Sequence, residues 1–242
     1  MTSLLLYSDL TSWYPLVDPV TDHVDEAESY AAAYARAIEG PAHTLLELGA
    51  GAGNNAFYLK RQFKCTLTDL SQRMLTLSQG QNPECDHRVG DMRSLRLDRA
   101  FDAVLVHDAV MYMTTEEDLL AAARTAFAHV RRGGAAIFAP DFVRERFHES
   151  THLIEGEEGA RALRCVEWTW DPDPRDATYA VEYGFLLRDE HGVRAVHDRH
   201  VEGLFAEATW HRLLRASGFE VETIERPVGE GVTDRIFLCR RP

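Results

Sequence analysis

The chain has 242 residues, enough for one α/β domain with an insertion or for two small domains. Its hydrophobic content of 45% is ordinary for a globular protein, and 26 basic against 39 acidic residues leave a net charge of −13. That balance argues against a nucleic-acid backbone or an anionic membrane as partner, although a local pair such as Arg144 and Arg146 would serve a phosphorylated substrate.

The four cysteines, Cys65, Cys85, Cys165 and Cys239, form no CxxC pair, so neither zinc nor a disulfide framework is implied. His148 and His152 are four apart but lack a third ligand at zinc spacing, so the expected metal content is none. The N-terminus lacks the basic start and apolar length of a signal peptide, and no stretch approaches the ~20 apolar residues of a membrane span. A soluble, cytoplasmic setting is expected.

Residues 1–24 are aromatic and proline-punctuated, with no clean period. A helix is predicted over 25–38, capped by Asp22 or Asp25 and stopped by Gly40-Pro41. Leu45, Leu46 and Leu48 read as the end of a buried strand. Gly49, Gly51 and Gly53 then make a tight turn, and Asn54 opens a helix. KCTLTDL (64–70) is a second strand. Its Asp69 lies twenty residues after Gly49, the spacing that puts a carboxylate on a ribose in nucleotide-binding βαβ units. SQRMLTLSQ (71–79) reads as a helix capped by Ser71, and HRVGD (87–91) as a third strand. FDAVLVHDAV (101–110) has the continuous apolar run of a strand buried on both faces. TTEEDLLAAARTAFAHV (114–130) is a helix with Thr114 or Thr115 as cap, ended by Gly133-Gly134 before the strand AAIFAP (135–140).

Strands that alternate with helices imply a parallel sheet with right-handed crossovers. The pattern then changes. RCVEWTW (164–170), TYAVEYGFLL (178–187) and VRAVHDRHV (193–201) read as a three-stranded antiparallel meander. A helix over 207–217 stops at Gly218, and FEVETIER (219–226) and RIFLCRR (235–241) are the last strands. The fold class is α/β: a Rossmann-like doubly wound sheet, mostly parallel with an antiparallel last strand, plus an antiparallel β insertion.

The first turn has the form E-x-G-x-G-x-G. The dinucleotide fingerprint would place its third glycine at 54, which is Asn54, and Glu47 would face a pyrophosphate unfavourably. A carboxylate there suits a cofactor that is positively charged. On these residues the sequence resembles the class I S-adenosylmethionine-dependent methyltransferases. The resemblance implies S-adenosyl-L-methionine as cofactor and S-adenosyl-L-homocysteine as product. It implies cofactor contacts from Glu47, Gly49, Ala50, Gly51, Gly53, Asn54, Asp69, Leu70, Ser71, Asp91, Met92 and His107. Asp91 would accept the adenine amino group, and the Met92 thioether would cover the ring.

The first and fourth strands of such a sheet are neighbours where the winding reverses, and ligands bind outside that point. The glycine turn and His107-Asp108 should therefore flank one crevice. His107 is either a general base or a residue that meets the cofactor through its backbone alone. Tyr112 points into the crevice or into the core. No N/D-P-P-Y/F element follows this strand, which disfavours DNA-adenine or protein-glutamine amide methylation.

HDRHVEGLF (197–205) extends the resemblance to methyltransferases that dimethylate nucleotide-linked amino sugars, through Asp198, His200, Leu204 and Phe205. Trp13 and Tyr14 fall where those enzymes place a tyrosine-bearing lid. The expected catalytic residues are His107, His200 and Tyr14. The expected substrate contacts are Trp13, Tyr14, Asp108, Tyr112, Trp168, Trp170, Tyr183 and His200. The resemblance divides the chain into a lid and helix (1–43), a cofactor domain (44–141 and 206–242) and the insertion (142–205), which is a substrate roof, a dimer sheet or both. The expected activity is methyl transfer to N or O of a small molecule by a monomer or homodimer, with no nucleic acid or membrane partner. The rival readings are an NAD-dependent oxidoreductase and a cofactor-binding protein without turnover.

Overall fold

The structure, a computed structural model, describes residues 4–229 and 232–242. In chain order the helices and strands are α1 (Tyr14–Val17), α2 (Val24–Ala37), β1 (Thr44–Leu48), α3 (Asn54–Leu59), β2 (Lys64–Asp69), α4 (Gln72–Gln81), β3 (Asp86–Val89), β4 (Phe101–His107), α5 (Glu116–His129) and β5 (Val130–Ala139). The insertion contributes β6 (Ser150–Glu158), β7 (Arg161–Trp170), β8 (Thr178–Asp189) and β9 (Gly192–Gly203). The chain closes with α6 (Glu207–Ala216), β10 (Glu220–Gly229) and β11 (Val232–Arg240).

One sheet has the order β10-β11-β5-β4-β1-β2-β3. β1 pairs in parallel with both β2 and β4, so the winding reverses between β1 and β4. β11 runs antiparallel to both of its neighbours. The apolar runs set this order: Ala103, Val104, Leu105 and Val106 of β4 are all fully buried, as a central strand covered on both faces requires. Leu46, Leu48, Val104 and Val106 pack with α5 and α6, while Leu45, Ala103 and Leu105 pack with α2 and α3.

Three boundaries differ from the expectation. The N-cap of α2 is His23, with no side-chain cap bond, so neither Asp22 nor Asp25 caps it. Helix α5 stops at His129 rather than at the glycines, and Val130 already pairs with Phe101. Gly133-Gly134 then lie in an irregular stretch of β5, and a Cβ on Gly134 would fall 2.7 Å from the Asp102 carbonyl. The insertion has four strands, in the order β6-β7-β8-β9. β6 escaped the sequence reading because it is an edge strand with no buried residue, so no apolar alternation marks it.

The N-terminal segment ties the two sheets together. Leu6, Leu10 and Trp13 bury against Leu163, Cys165, Phe185 and Leu187 on one face of the insertion. The Leu6 amide donates to Asp198 Oδ2 at 2.8 Å, and Ser71 Oγ donates to the Tyr7 carbonyl at 2.7 Å.

Candidate active site

The glycine turn follows β1, and all three glycines have positive φ: +78, +54 and +75 for Gly49, Gly51 and Gly53. Their surroundings differ. A Cβ on Gly49 would lie 2.4 Å from Ala109 Cβ, and one on Gly53 would lie 2.3 Å from Ser78 Oγ. A Cβ on Gly51 would meet only the Met74 thioether methyl, at 3.6 Å. Gly51 therefore presents bare backbone to open space, which is what a closely approaching ligand needs.

Asp69 closes the same turn. Its Oδ2 accepts from the Gly51 amide at 2.8 Å and its Oδ1 from the Ser71 amide at 2.7 Å. A carboxylate has about four acceptor positions, so capacity remains for two hydroxyls. Burial raises the Asp69 pKa against these amides. Leu70 beside it is strongly exposed. Ser71 caps α4 by accepting from the Met74 amide at 3.3 Å. Asp91 is gripped by Arg93 at 2.6 Å, which holds its pKa down. The Met92 side chain turns into the core, its methyl near the position of a Gly49 Cβ, so it does not stand free to cover a ring.

Glu47 does not present the negative charge expected of it. It is 3% exposed, burial pushes its pKa up to about 8, and its Oε2 has no hydrogen-bond partner among the described residues. Asn54 Nδ2 donates to the Asp18 carboxylate at 2.9 Å and so fastens the turn to the N-terminal segment.

A cavity of about 610 Å³ opens beyond the ends of β4 and β5. His107 lies at its edge, with Nε2 2.7 Å from Asp108 Oδ1 and 3.1 Å from Glu26 Oε2. Burial opposes a charge on this imidazole, but Asp108 and Glu26 outweigh it and hold the pKa well above the ordinary value. Both carboxylates reach Nε2, and Nδ1 faces the Asn55 side-chain amide nitrogen at 3.3 Å, so neither ring nitrogen stands free to take a substrate proton and the general-base reading fails. His23 is similar: burial is outweighed by Asp18 and Glu26, which push it up to about 10. Arg226 completes the cluster, 2.8 Å from Glu26 and 2.6 Å from Asp234.

Asp108 has φ +33, a strained value at the turn after β4. Asp141 follows β5 and lines this cavity and a smaller one of about 210 Å³ beneath the insertion. Burial first, and then Asp108, raise the Asp141 pKa well above the carboxylate range. Glu167, Thr169, Tyr179, Val181, Tyr183 and Glu202 line the smaller cavity. The Tyr179 hydroxyl donates to Glu202, whose pKa burial raises.

The β alternation decides which aromatics reach this cavity. Glu167 pairs with Tyr183 and Thr169 with Val181, so those residues share the inner face. Trp168 and Trp170 fall on the outer face, stacked on each other at 5.9 Å with Trp168 52% exposed. They do not roof the crevice. Trp13 is also withdrawn from it: the ring is buried among apolar side chains, with Arg161 over it at 4.2 Å.

Tyr14 donates to Asp18 Oδ2 at 2.7 Å, and its ring centre lies 6.1 Å from that of Tyr7. His200 is fully buried and cannot touch a ligand directly. Its Nε2 is 3.0 Å from Asp198 Oδ2 and its Nδ1 is 2.8 Å from the Tyr112 hydroxyl, which lies 3.0 Å from that of Tyr7. Arg144 is committed to carbonyls, at 3.0 Å from Pro174 O and 3.1 Å from Leu204 O, and Arg146 lies 3.5 Å from Glu225. That pair therefore offers no free phosphate clamp.

Several site residues escaped the sequence reading. Asp141 stands at the end of β5 as His107 stands at the end of β4, and the same strand-end rule would have found it. Glu202 continues the period-two series Asp198, His200. Asp18, His23, Glu26 and Tyr7 lie in stretches without a motif, and no local signal marks them.

A model of the methyltransferase domain matches residues 45–134. The dTDP-3-amino-3,4,6-trideoxy-α-D-glucopyranose N,N-dimethyltransferase of Streptomyces venezuelae is 31% identical over 79% of this chain and 81% of its own. The dTDP-3-amino-3,6-dideoxy-α-D-glucopyranose N,N-dimethyltransferase of Streptomyces fradiae is 25% identical over 83% and 80%. Among solved structures, DesVI of Streptomyces venezuelae superposes with a TM-score of 0.84 at 24% identity over 98% of both chains. SAM-bound CalS10, an amino pentose methyltransferase, superposes with a TM-score of 0.75 at 23% identity over both whole chains. The expected Rossmann-like sheet and cofactor type agree with these relatives, and the chain belongs to the family of S-adenosylmethionine-dependent methyltransferases that includes these sugar N,N-dimethyltransferases.

Proposed function

We propose that this methyltransferase acts on the amino nitrogen of an amino sugar. The observation that carries the reading is the set of acidic side chains Asp108, Asp141 and Glu202 around the crevice at the ends of β4, β5 and β9. Burial and mutual repulsion raise the pKa of Asp141 and Glu202, and an entering cation relieves that repulsion, so this wall favours an ammonium group, whereas a neutral hydroxyl gains little from it. The names of the relatives point to the same class of acceptor.

In this reading the open backbone at Gly51 receives the cofactor, Asp69 takes its ribose, and Asp91 faces its adenine. Glu47 offers its orphaned oxygen from below. The bound cofactor supplies an electrophilic methyl group on a sulfonium. The protein's task is then alignment of the amine, which Tyr183, Glu202 and Asp108 perform by contact and charge. A cytoplasmic setting belongs to the same reading.

The test incubates the protein with S-adenosylmethionine and a 3-amino-3,6-dideoxyhexose, free and as its dTDP conjugate, and reads products by mass spectrometry. A gain of one or two methyl groups on nitrogen supports the reading. Methylation confined to oxygen overturns it. S-adenosylhomocysteine binding without turnover of either acceptor would favour the non-catalytic rival.

The outer face of the insertion favours a homodimer. Leu153, Val166, Trp168, Leu186, Val193 and Val201 are all between 45% and 77% exposed there. Light scattering should give twice the chain mass, falling to one chain mass in a Trp168→Glu, Leu186→Glu variant.

A further inference from the structure

Seven acidic side chains line the cavity beyond β4 and β5, against three bases, His23, His107 and Arg226. All three bases converge on one of the acids, Glu26 of α2. Its Oε2 lies 3.2 Å from His23 Nδ1 and 3.1 Å from His107 Nε2, and its Oε1 lies 2.8 Å from Arg226 Nη2. Each base also has a second carboxylate: Asp18 at 2.8 Å from His23, Asp108 at 2.7 Å from His107 and Asp234 at 2.6 Å from Arg226. Glu26 is 8% exposed, and Tyr30 and Asn55 also donate to it, each at 3.1 Å. Burial opposes its charge, but His107, His23 and Arg226 outweigh burial and hold its pKa low.

Every base that lines the cavity is thus shared between two carboxylates, and none is left as a counter-ion for a phosphate. Three of the acids, by contrast, have no ion pair among the described residues: Asp22 before α2, Asp25 in its first turn and Asp141 at the end of β5. A pyrophosphate brought here would meet carboxylates without a cation to receive it. A second ammonium group would meet Asp22 and Asp25 uncompensated. We propose that the acceptor is a phosphate-free amino sugar carrying a second ammonium group, and that Glu26 sets this preference by pairing all three bases of the cavity. This rests on the reading of the acceptor as an amine. In it the chain parts from the relatives whose names give dTDP-linked sugars.

Glu26 acts here through its neighbours. It does not hold the acceptor; it withholds three cations from it. Glu26→Gln keeps the size of the side chain and an oxygen to accept from Tyr30, and removes the one charge that the three bases share. Each base would keep its second carboxylate, and the cavity would become less negative by one charge. The change bears on which acceptor is preferred, because an ammonium and a pyrophosphate feel it with opposite sign.

Three acceptors test the preference: the methyl glycosides of a 3-amino-3,6-dideoxyhexose and of a 3,6-diamino-3,6-dideoxyhexose, and the dTDP conjugate of the first sugar. With S-adenosylmethionine, the diamine should exceed the dTDP conjugate about tenfold or more in kcat/KM, and added salt should slow the diamine and speed the conjugate. Glu26→Gln should move the ratio of the two about tenfold toward the conjugate, a change that a merely structural loss, equal for both acceptors, would not produce. Should that variant fail to fold, Asp22→Asn with Asp25→Asn, both exposed, should lower the diamine's kcat/KM toward that of the single amine. A wild type that prefers the dTDP conjugate, or ratios unchanged in the folded variants, overturns the proposal and leaves the amine acceptor standing. If no acceptor gains a methyl group on nitrogen, the amine reading fails instead. Calorimetric titration with dTDP and with the diamine glycoside then decides the charge preference of the cavity alone, and tighter binding of dTDP overturns the role given to Glu26.

Discussion

Gly49, Gly51 and Gly53 share a backbone conformation but not a reason for being glycine. Each would carry the strain of a positive φ as alanine, on the order of 1 kcal/mol. Gly49→Ala adds a collision with Ala109, so its melting temperature should fall well below that of Gly51→Ala. Gly51→Ala should instead lose S-adenosylhomocysteine affinity out of proportion to its stability, because the added methyl enters the open space above the turn. Calorimetric titration beside thermal melting separates the two. Asp69→Ala removes a charged acceptor, a loss of about 1.5–3 kcal/mol, so cofactor affinity should fall about tenfold or more. Unchanged affinity in a folded variant would remove Asp69 from the site.

At the scale of elements, Ser71 does two jobs through one hydroxyl: it caps α4 and holds the Tyr7 carbonyl. Ser71→Ala should cost about 1 kcal/mol of stability through the lost cap and should speed hydrogen exchange of residues 4–13. Unaltered exchange there would show that the apolar contacts of Leu6, Leu10 and Trp13 suffice. The insertion gives a second contrast. Tyr183→Ala should raise the KM for the acceptor, whereas Trp168→Ala should leave it unchanged, since the two lie on opposite faces.

These elements also mark what the sequence makes legible. The βαβ order, the glycine turn and Asp69 are written in short windows, where spacing alone fixes geometry. Which aromatic faces the crevice is not: period two separates Trp168 from Tyr183 only once the register with β8 and the covered face are known. Ser71 as a cap is a local signal, and it held. His107 as a base failed because Glu26, distant in sequence, supplies the second carboxylate. β6 failed because an exposed edge carries no apolar pattern.

For the whole molecule, buried ionisable groups set the pH response. His23 has its pKa raised from 6.5 to about 10, so its stabilisation is complete below 6.5 and is lost as the pH rises toward 10. Glu47, raised from 4.5 to about 8, likewise favours the fold below 4.5 and ceases to do so as the pH passes 8. Glu26 has the opposite sign: its lowered pKa gives stabilisation that is present above 4.5 and lost in acid. The melting temperature should therefore decline steadily from mildly acidic to alkaline pH. His23→Gln should flatten that decline above pH 6.5, and Glu47→Gln between 4.5 and 8. A slope unchanged in both variants would show that other groups set the alkaline limit.

The two faces of the insertion interleave residue by residue along β8. Tyr179, Val181 and Tyr183 point inward, and Ala180 and Glu182 point to the opposite face. Point changes on one face therefore leave the other intact, and the two surfaces can drift independently. A length change cannot respect that separation. Deleting one residue within β8 would reverse every side chain beyond it, sending Tyr183 to solvent and its neighbours into the cavity. Strand β8 should accept substitutions at many positions and indels at almost none, whereas the hairpin turn at Glu190-His191 beside it should accept both. A deletion scan scored for soluble protein would register that boundary as a step between Asp189 and Glu190.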